Sequence, residues 1–105
     1  MIQNVSVKIV DHVGLNEREA SILQTATMNY VAMTSALLVG QKKQGGEGAA
    51  LNPLEDEKFL CGTTLIYEKA IDQDLAEELK STLERKFTTF FTMSDIDMTV
   101  EVDLF

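Results

Sequence analysis

The chain has 105 residues, the usual size of one domain with a single apolar core and too small for a cleft between two lobes. Its content of 45% hydrophobic and 25% charged residues is that of a globular protein rather than a disordered or fibrous one. Seventeen acidic against nine basic side chains give a formal charge of -8, which repels nucleic-acid backbones and anionic membrane surfaces. We therefore expect one domain over residues 1–105 that binds neither nucleic acid directly nor membranes.

The single cysteine and the first residues indicate the cellular setting. Cys61 has no partner for a disulfide within the chain, and the first residues look like a strand rather than a basic cluster before an apolar segment. Residues 21–40 are uncharged and long enough to span a membrane, but their amide and hydroxyl side chains indicate a water-soluble helix. We expect a reducing, cytoplasmic location.

The first half of the chain predicts a strand followed by a long helix. Apolar and polar residues alternate from Asn4 to Ile9, as in a strand with one buried face. Asn16 and Glu19 have the spacing of a capping box that starts a helix, and Gly40 is a natural helix stop. The apolar stripe expected to face the sheet consists of Leu23, Ala26, Tyr30, Met33 and Leu37.

A glycine-rich segment separates this helix from a second predicted strand. Residues 41–57 contain three glycines and the only proline, Pro53, without an apolar period, which predicts a long mobile loop. The cluster around Gly45 follows a helix instead of a strand, so it does not resemble a phosphate-binding loop. Residues 59–68 are rich in β-branched and aromatic side chains and predict a strand.

The last third predicts a helix and a strand with one acidic face. Asp72 or Asp74 can cap the helix, which we expect to end near Phe90, although residues 88–92 also have strong strand preference. Residues 96–104 alternate between apolar and polar positions. The buried stripe of the helix is predicted to be Leu75, Leu79, Leu83, Phe87 and Phe91. The acidic positions of the final segment are Asp95, Asp97, Glu101 and Asp103.

The element order β-α-β-α-β predicts an α+β fold, a two-layer sandwich of about three strands with both helices on one face. We expect the first strand at the centre, the second beside it through a right-handed crossover, and the last antiparallel on the other side. This layout resembles a degenerate ferredoxin-like fold that has lost one strand within residues 41–57. The resemblance is one of topology and implies no function.

The residues that carry chemistry are sparse. His12 lies near Glu17 and Glu19, but a nucleophile is missing nearby, and a lone strand cysteine such as Cys61 is usually a small buried apolar residue. One histidine and one cysteine cannot form a structural zinc site. The acidic row of the last strand is most simply a solvated sheet face. We therefore assign no catalytic, cofactor-binding or metal site.

The long helix is unusual because residues 21–40 lack any charge in a chain that is one quarter charged. A helix that covers a small sheet normally shows water a charged outer face, so we expect a protein surface to cover this one. The predicted interface of a homo-oligomer consists of Ser21, Thr25, Met28, Ala32, Ser35 and Val39.

Two classes of function follow from these observations. The first is a non-enzymatic interaction or assembly domain that acts as a homo-oligomer, as an accessory or structural subunit, with an acidic surface that suits a basic protein partner. The alternative is a small enzyme or ligand-binding domain with a pocket at the subunit interface. The polar residues available to such a pocket are His12, Tyr30, Cys61 and Tyr67.

Overall fold

The computed structural model describes residues 1–40, 48–53 and 59–105. Within these ranges strands and helices alternate as β-α-β-β-α-β. The elements are β1 (Ile2–Asp11), α1 (Glu17–Leu38), β2 (Gly48–Pro53), β3 (Phe59–Ile71), α2 (Gln73–Met93) and β4 (Met98–Leu104).

The four strands form one antiparallel sheet in the order β2-β3-β1-β4. Val7 at the middle of β1 lies opposite Thr63 of β3 and opposite Val102 of β4. On the outer side of β3, the backbone of β2 pairs with residues 59–64. The first strand is therefore central, as predicted, and the last strand lies antiparallel beside it.

This arrangement is a ferredoxin-like α+β fold, and the predicted two-layer sandwich is confirmed. Two details differ from the prediction. The sheet has a fourth strand, β2, at Gly48–Pro53, within the segment 41–57 that was predicted to be a loop. The rest of that predicted loop falls outside the described residues. In addition, β3 runs antiparallel to β1, because the crossover through α1 leads to β2, which is one place further out, and the chain then turns back.

The caps of α1 follow the sequence closely. The Asn16 side chain accepts from the amide of Glu19 at 2.8 Å, and the Glu19 carboxylate accepts from the amide of Asn16 at 3.2 Å. These two bonds form the predicted capping box. Gly40 follows the helix with φ +71°, a left-handed conformation that glycine adopts without strain.

The second helix is longer than predicted. It starts after Asp72 and continues through Phe90 to Met93, so residues 88–92 are helical rather than part of a hairpin. Its five predicted core positions include Leu79, Leu83 and Phe87, which are buried, while Leu75 is half-buried. Packing on the sheet thus outweighs the strand preference of the three threonines and two phenylalanines in residues 88–92. Neither described helix is long and apolar enough to cross a membrane.

The core lies between the sheet and the two helices. One face of each long strand supplies it, and α2 contributes a regular apolar stripe. The fully buried large side chains include Val5, Val7, Ile9, Leu65, Tyr67, Leu79 and Leu83. The opposite face of the sheet carries the polar residues of the same alternation, among them Lys8 and Asp103, whose charged groups are 4.0 Å apart.

The face that α1 turns to the sheet differs from the prediction. Met33 and Leu37, expected in the core, are 55% and 80% exposed, whereas Gln24 and Thr34 are buried. The buried positions of the helix are Ala20, Gln24, Thr27, Val31, Thr34 and Ser35. The helix is therefore rotated relative to the predicted stripe, and most of the positions that it buries are polar.

We predict that truncation of the α2 core stripe is costly. Leu83→Ala removes a fully buried side chain and should lower the free energy of unfolding by about 2–5 kcal/mol. The matched control Thr88→Ala, on the exposed side of the same helix, should change it by less than about 0.5 kcal/mol. Urea unfolding monitored by circular dichroism measures both, and equal effects would contradict the described orientation of α2.

Candidate functional site

The outer side of the helix layer carries a row of exposed apolar side chains. Ile22 is 61% exposed, and Phe90 and Met93 of α2 are 57% and 82% exposed. Single exposed apolar residues are ordinary, but several on adjacent helices form a surface that usually contacts another molecule. We call this surface the outer apolar face; it consists of Ile22, Ala26, Met33 and Leu37 of α1 with Phe90 and Met93 of α2.

The two helices lie antiparallel, which brings part of this face together. The start of α1 follows the end of β1, whereas α2 starts beside Ile71, which pairs with Ile2 at the other end of the sheet. The first half of α1 therefore lies beside the second half of α2. The rings of Tyr30 and Phe87 meet there edge to face with centroids 5.1 Å apart.

A groove of about 310 Å³ runs between the helices at this point. Its walls are almost wholly apolar, and the rings of Phe90 and Phe91 pack edge to face at 5.8 Å along one side. The buried hydroxyl of Thr27 has no hydrogen-bond partner among the described residues. The groove is lined by Leu23, Ala26, Thr27, Tyr30, Lys86, Phe87, Phe90 and Phe91.

The interface predicted from the sequence lies on another side of α1. Ser35 was predicted to lie on the surface, but it is buried against the sheet. Met28, Ala32 and Val39 are half-buried, and Ser21 and Thr25 are exposed. Because residues 23, 26, 27 and 30 face the groove, helical geometry places these six on the flank away from α2. The exposed apolar surface of α1 instead includes three residues of the stripe that the sequence assigned to the core, Ala26, Met33 and Leu37, together with Ile22.

Two polar contacts hold α1 in this rotation. The side chain of Gln24 donates to the carbonyl of Gly62 at 2.7 Å and accepts from its amide at 2.9 Å. Eleven residues later, the hydroxyls of Ser35 and Tyr67 are 2.6 Å apart in the buried layer. Burial raises the pKa of Tyr67, an effect that the bond to Ser35 partly offsets. Turning α1 to bury its apolar stripe would break both contacts and leave buried polar groups unpaired.

The structure leaves Cys61 without the features of a nucleophile. It is fully buried beneath α1, and its Sγ lies 3.7 Å from the carbonyl oxygen of Ala20. Desolvation, with a smaller contribution from the negative charge of Asp11, raises the pKa of the thiol from 9.0 to about 11. A reactive cysteine needs the opposite shift and access to solvent.

The other residues considered for a pocket are also kept apart. His12 lies beside the last strand, with its Nε2 3.1 Å from the hydroxyl of Thr99. Tyr67 is buried against Ser35, while Tyr30 lines the groove. Within one chain, therefore, these placements and the buried position of Cys61 do not bring the four residues into one pocket.

The acidic residues near the last strand are solvated. Glu101 and Asp103 are exposed on the open face of the sheet, and Asp95 and Asp97 precede β4. Within the described ranges, no three histidine, cysteine or carboxylate side chains come together as a metal site requires. The outer apolar face and its groove are therefore the candidate site.

Comparison with known proteins yields the fold alone. No protein-family model matches the chain, and no curated protein is similar to it. It is similar to a designed protein with a ferredoxin fold (TM-score 0.53, 10% identity), with 98% of this chain and 85% of that chain covered. It is also similar to an ACT domain protein from Streptococcus pneumoniae (0.52, 10% identity; 99% and 91% covered). A third is a dimeric ferredoxin-like protein from an uncultured marine organism (0.51, 15% identity; 100% and 96% covered).

We predict that Cys61 resists modification while the protein is folded. At pH 8 a thiol with a pKa near 11 has about a hundredfold less thiolate than an ordinary one, so iodoacetamide should label Cys61 only as fast as the chain unfolds. The same burial predicts a pH-dependent stability. Because the pKa of the Cys61 thiol is higher in the folded state than in the unfolded state, the free energy of unfolding should fall as the pH rises from about 9 to 11. The decrease should be smaller in Cys61→Ala. Rapid labelling of the folded protein, followed by mass spectrometry, would contradict this burial.

Proposed function

We propose that the chain is a non-enzymatic assembly domain that binds copies of itself through the outer apolar face. The observation that carries the proposal is the exposure of Ile22, Met33 and Leu37 along one side of α1, which is uncharged after its first turn, beside Phe90 and Met93. Removing such side chains from water contributes about 25 cal/mol per Å² of apolar surface toward an association that covers them.

The charge distribution supports the same surface. The whole chain has a charge of -8, but the charged residues of α1, Glu17, Arg18 and Glu19, lie in its first turn. Two copies that meet along the rest of this helix therefore bury no charge from it, whereas acidic surfaces elsewhere repel each other. Self-association along this part of α1 therefore avoids the repulsion between acidic surfaces.

A solved structure adds weight to the proposal. The ferredoxin-like protein from an uncultured marine organism is described as dimeric, and it is covered over nearly its whole length. The proposal includes two further parts. The location is a reducing cytoplasm, which suits the buried free thiol of Cys61. A basic protein is a further partner, bound by the acidic face of the sheet.

The groove favours a second candidate function, a ligand-binding domain. Its walls are apolar, its lining includes no acidic residue within the described ranges, and Lys86 lies at one side. Such a site suits an anionic amphiphile, with its hydrocarbon tail between the helices and its carboxylate near the Lys86 ammonium. This candidate places the ligand in a groove within one subunit, whereas the pocket expected from the sequence lies at the subunit interface and draws on His12, Tyr30, Cys61 and Tyr67.

We predict that one charge on the outer apolar face separates the subunits. Light scattering should give the mass of an oligomer for the unmodified protein at about 100 µM, and Leu37→Glu should give that of a monomer because an unpaired charge cannot be buried cheaply. The control Ser21→Glu lies on the other flank of α1 and should leave the mass unchanged. Circular dichroism checks that both variants stay folded.

Two results would contradict this proposal. A monomer mass for the unmodified protein would remove self-association altogether. If Ser21→Glu separates the subunits and Leu37→Glu does not, the interface lies instead on the flank predicted from the sequence.

The second candidate predicts binding of dodecanoate, measurable by isothermal titration calorimetry. Lys86→Met keeps the aliphatic stem but removes the charge, and should weaken dodecanoate binding about two- to fivefold, as expected for an exposed ion pair. It should leave binding of uncharged dodecanol unchanged. Lys69→Met, an exposed lysine outside the groove, is the control. Absence of heat with both compounds at two well-separated temperatures would contradict a ligand site here, because apolar burial changes the heat capacity and cannot be without heat at both.

A further inference from the structure

Four of the five exposed apolar residues of α1 are spaced symmetrically about a point between Asn29 and Tyr30; the fifth, Ala36, lies to one side of them. Ile22 and Leu37 are equally distant from a point between Asn29 and Tyr30, because the midpoint of their numbers is 29.5. Ala26 and Met33 have the same midpoint. All four lie on the outward side of α1, and the outer pair is separated by about 22 Å along the axis at 1.5 Å per residue.

Because of this symmetry, the same spacing of apolar side chains is seen when the helix is turned end to end. Two antiparallel copies of α1 can therefore match these side chains one against another. We propose that two copies pack α1 against α1 in antiparallel orientation, related by a twofold axis that is perpendicular to both helices and passes between them at the level of Asn29 and Tyr30. The proposal rests on the self-association proposed above and specifies its geometry. In this register Ile22 contacts the partner's Leu37, and Ala26 contacts the partner's Met33.

Side-chain size favours this register over a parallel one. In the antiparallel pair the small Ala26 faces the long, flexible Met33 of the other copy at two equivalent places, so volume is matched across the interface. A parallel pair would place Ala26 opposite Ala26 and Met33 opposite Met33, which leaves a gap at one level and crowding at another. Antiparallel helices also place the positive N-terminal end of each helix near the negative C-terminal end of the other.

Between Ala26 and Met33, α1 exposes the side-chain amide of Asn29. Asn29 is next to the proposed axis, where its side chain meets the same side chain of the other copy. An amide can donate and accept at once, so the two can pair with each other in the interface. A single asparagine in an otherwise apolar helix interface is a known means of setting register, because any shift leaves its polar groups unpaired.

The second helix extends the contact. Since the first half of α1 lies beside the second half of α2, the partner's Leu37 comes to rest over Ile22 and next to Phe90 and Met93. This uses the whole outer apolar face in both copies. A specific interface takes about 800 Å² from each partner, close to one eighth of the 6310 Å² surface of this chain, which is a realistic share for two helices.

Cysteine cross-linking tests the register directly. Asn29→Cys alone should form a disulfide-linked dimer under mild oxidation, because the axis brings the position close to its own copy. Ile22→Cys mixed with Leu37→Cys should cross-link about tenfold faster than either variant alone, since only the mixed pair is in contact. Ser21→Cys, on the other flank, is the control. The native Cys61 is buried in every variant.

The outcomes separate the register from the self-association on which it rests. A dimer mass with the expected cross-links supports both. A dimer mass with self-linked Ile22→Cys, or without a cross-link at Asn29→Cys, overturns the antiparallel register and leaves self-association intact. A monomer mass overturns both. If a different protein binds Leu37 and this chain alone stays monomeric, a second copy is the wrong occupant.

Discussion

The polar contacts between α1 and strand β3 determine which side of α1 faces the sheet and which apolar residues are left exposed. Gln24 binds both backbone groups of Gly62, and Ser35 binds the hydroxyl of Tyr67, so the helix is held by polar atoms at two levels. Each buried polar group is costly to leave unpaired. This requirement outweighs the smaller gain from burying Met33 and Leu37, and it leaves an apolar stripe facing water.

The two helices thus have different roles in the same layer. α2 packs by the usual apolar stripe, with Leu79, Leu83 and Phe87 against the sheet, and supplies most of the helical contribution to the core. α1 meets the sheet largely through polar groups, with Val31 fully buried among them. The chain can then keep one largely apolar surface exposed without losing its own core, which suits the proposed assembly role.

Charge and shape together restrict how such a surface is used. The chain is strongly acidic, yet α1 has no charge beyond its first turn, so close approach of two copies is least unfavourable along this helix. The symmetric spacing of Ile22, Ala26, Met33 and Leu37 then specifies one antiparallel register. The groove beside Tyr30 is at the edge of the same face, so a ligand there and a second copy would be near neighbours.

The order of most elements, the helix caps at Asn16 and Gly40, and the alternation of the last strand follow from the sequence, because they depend on neighbours within a few residues. The strand β2 was missed because its glycine and proline residues are typical of loops, and pairing with β3 decides it. The prediction of which side of α1 faces the sheet was wrong for a similar reason. After its first turn α1 is uncharged, so its polar and apolar stripes are of similar strength, and only the distant partners Gly62 and Tyr67 select between them.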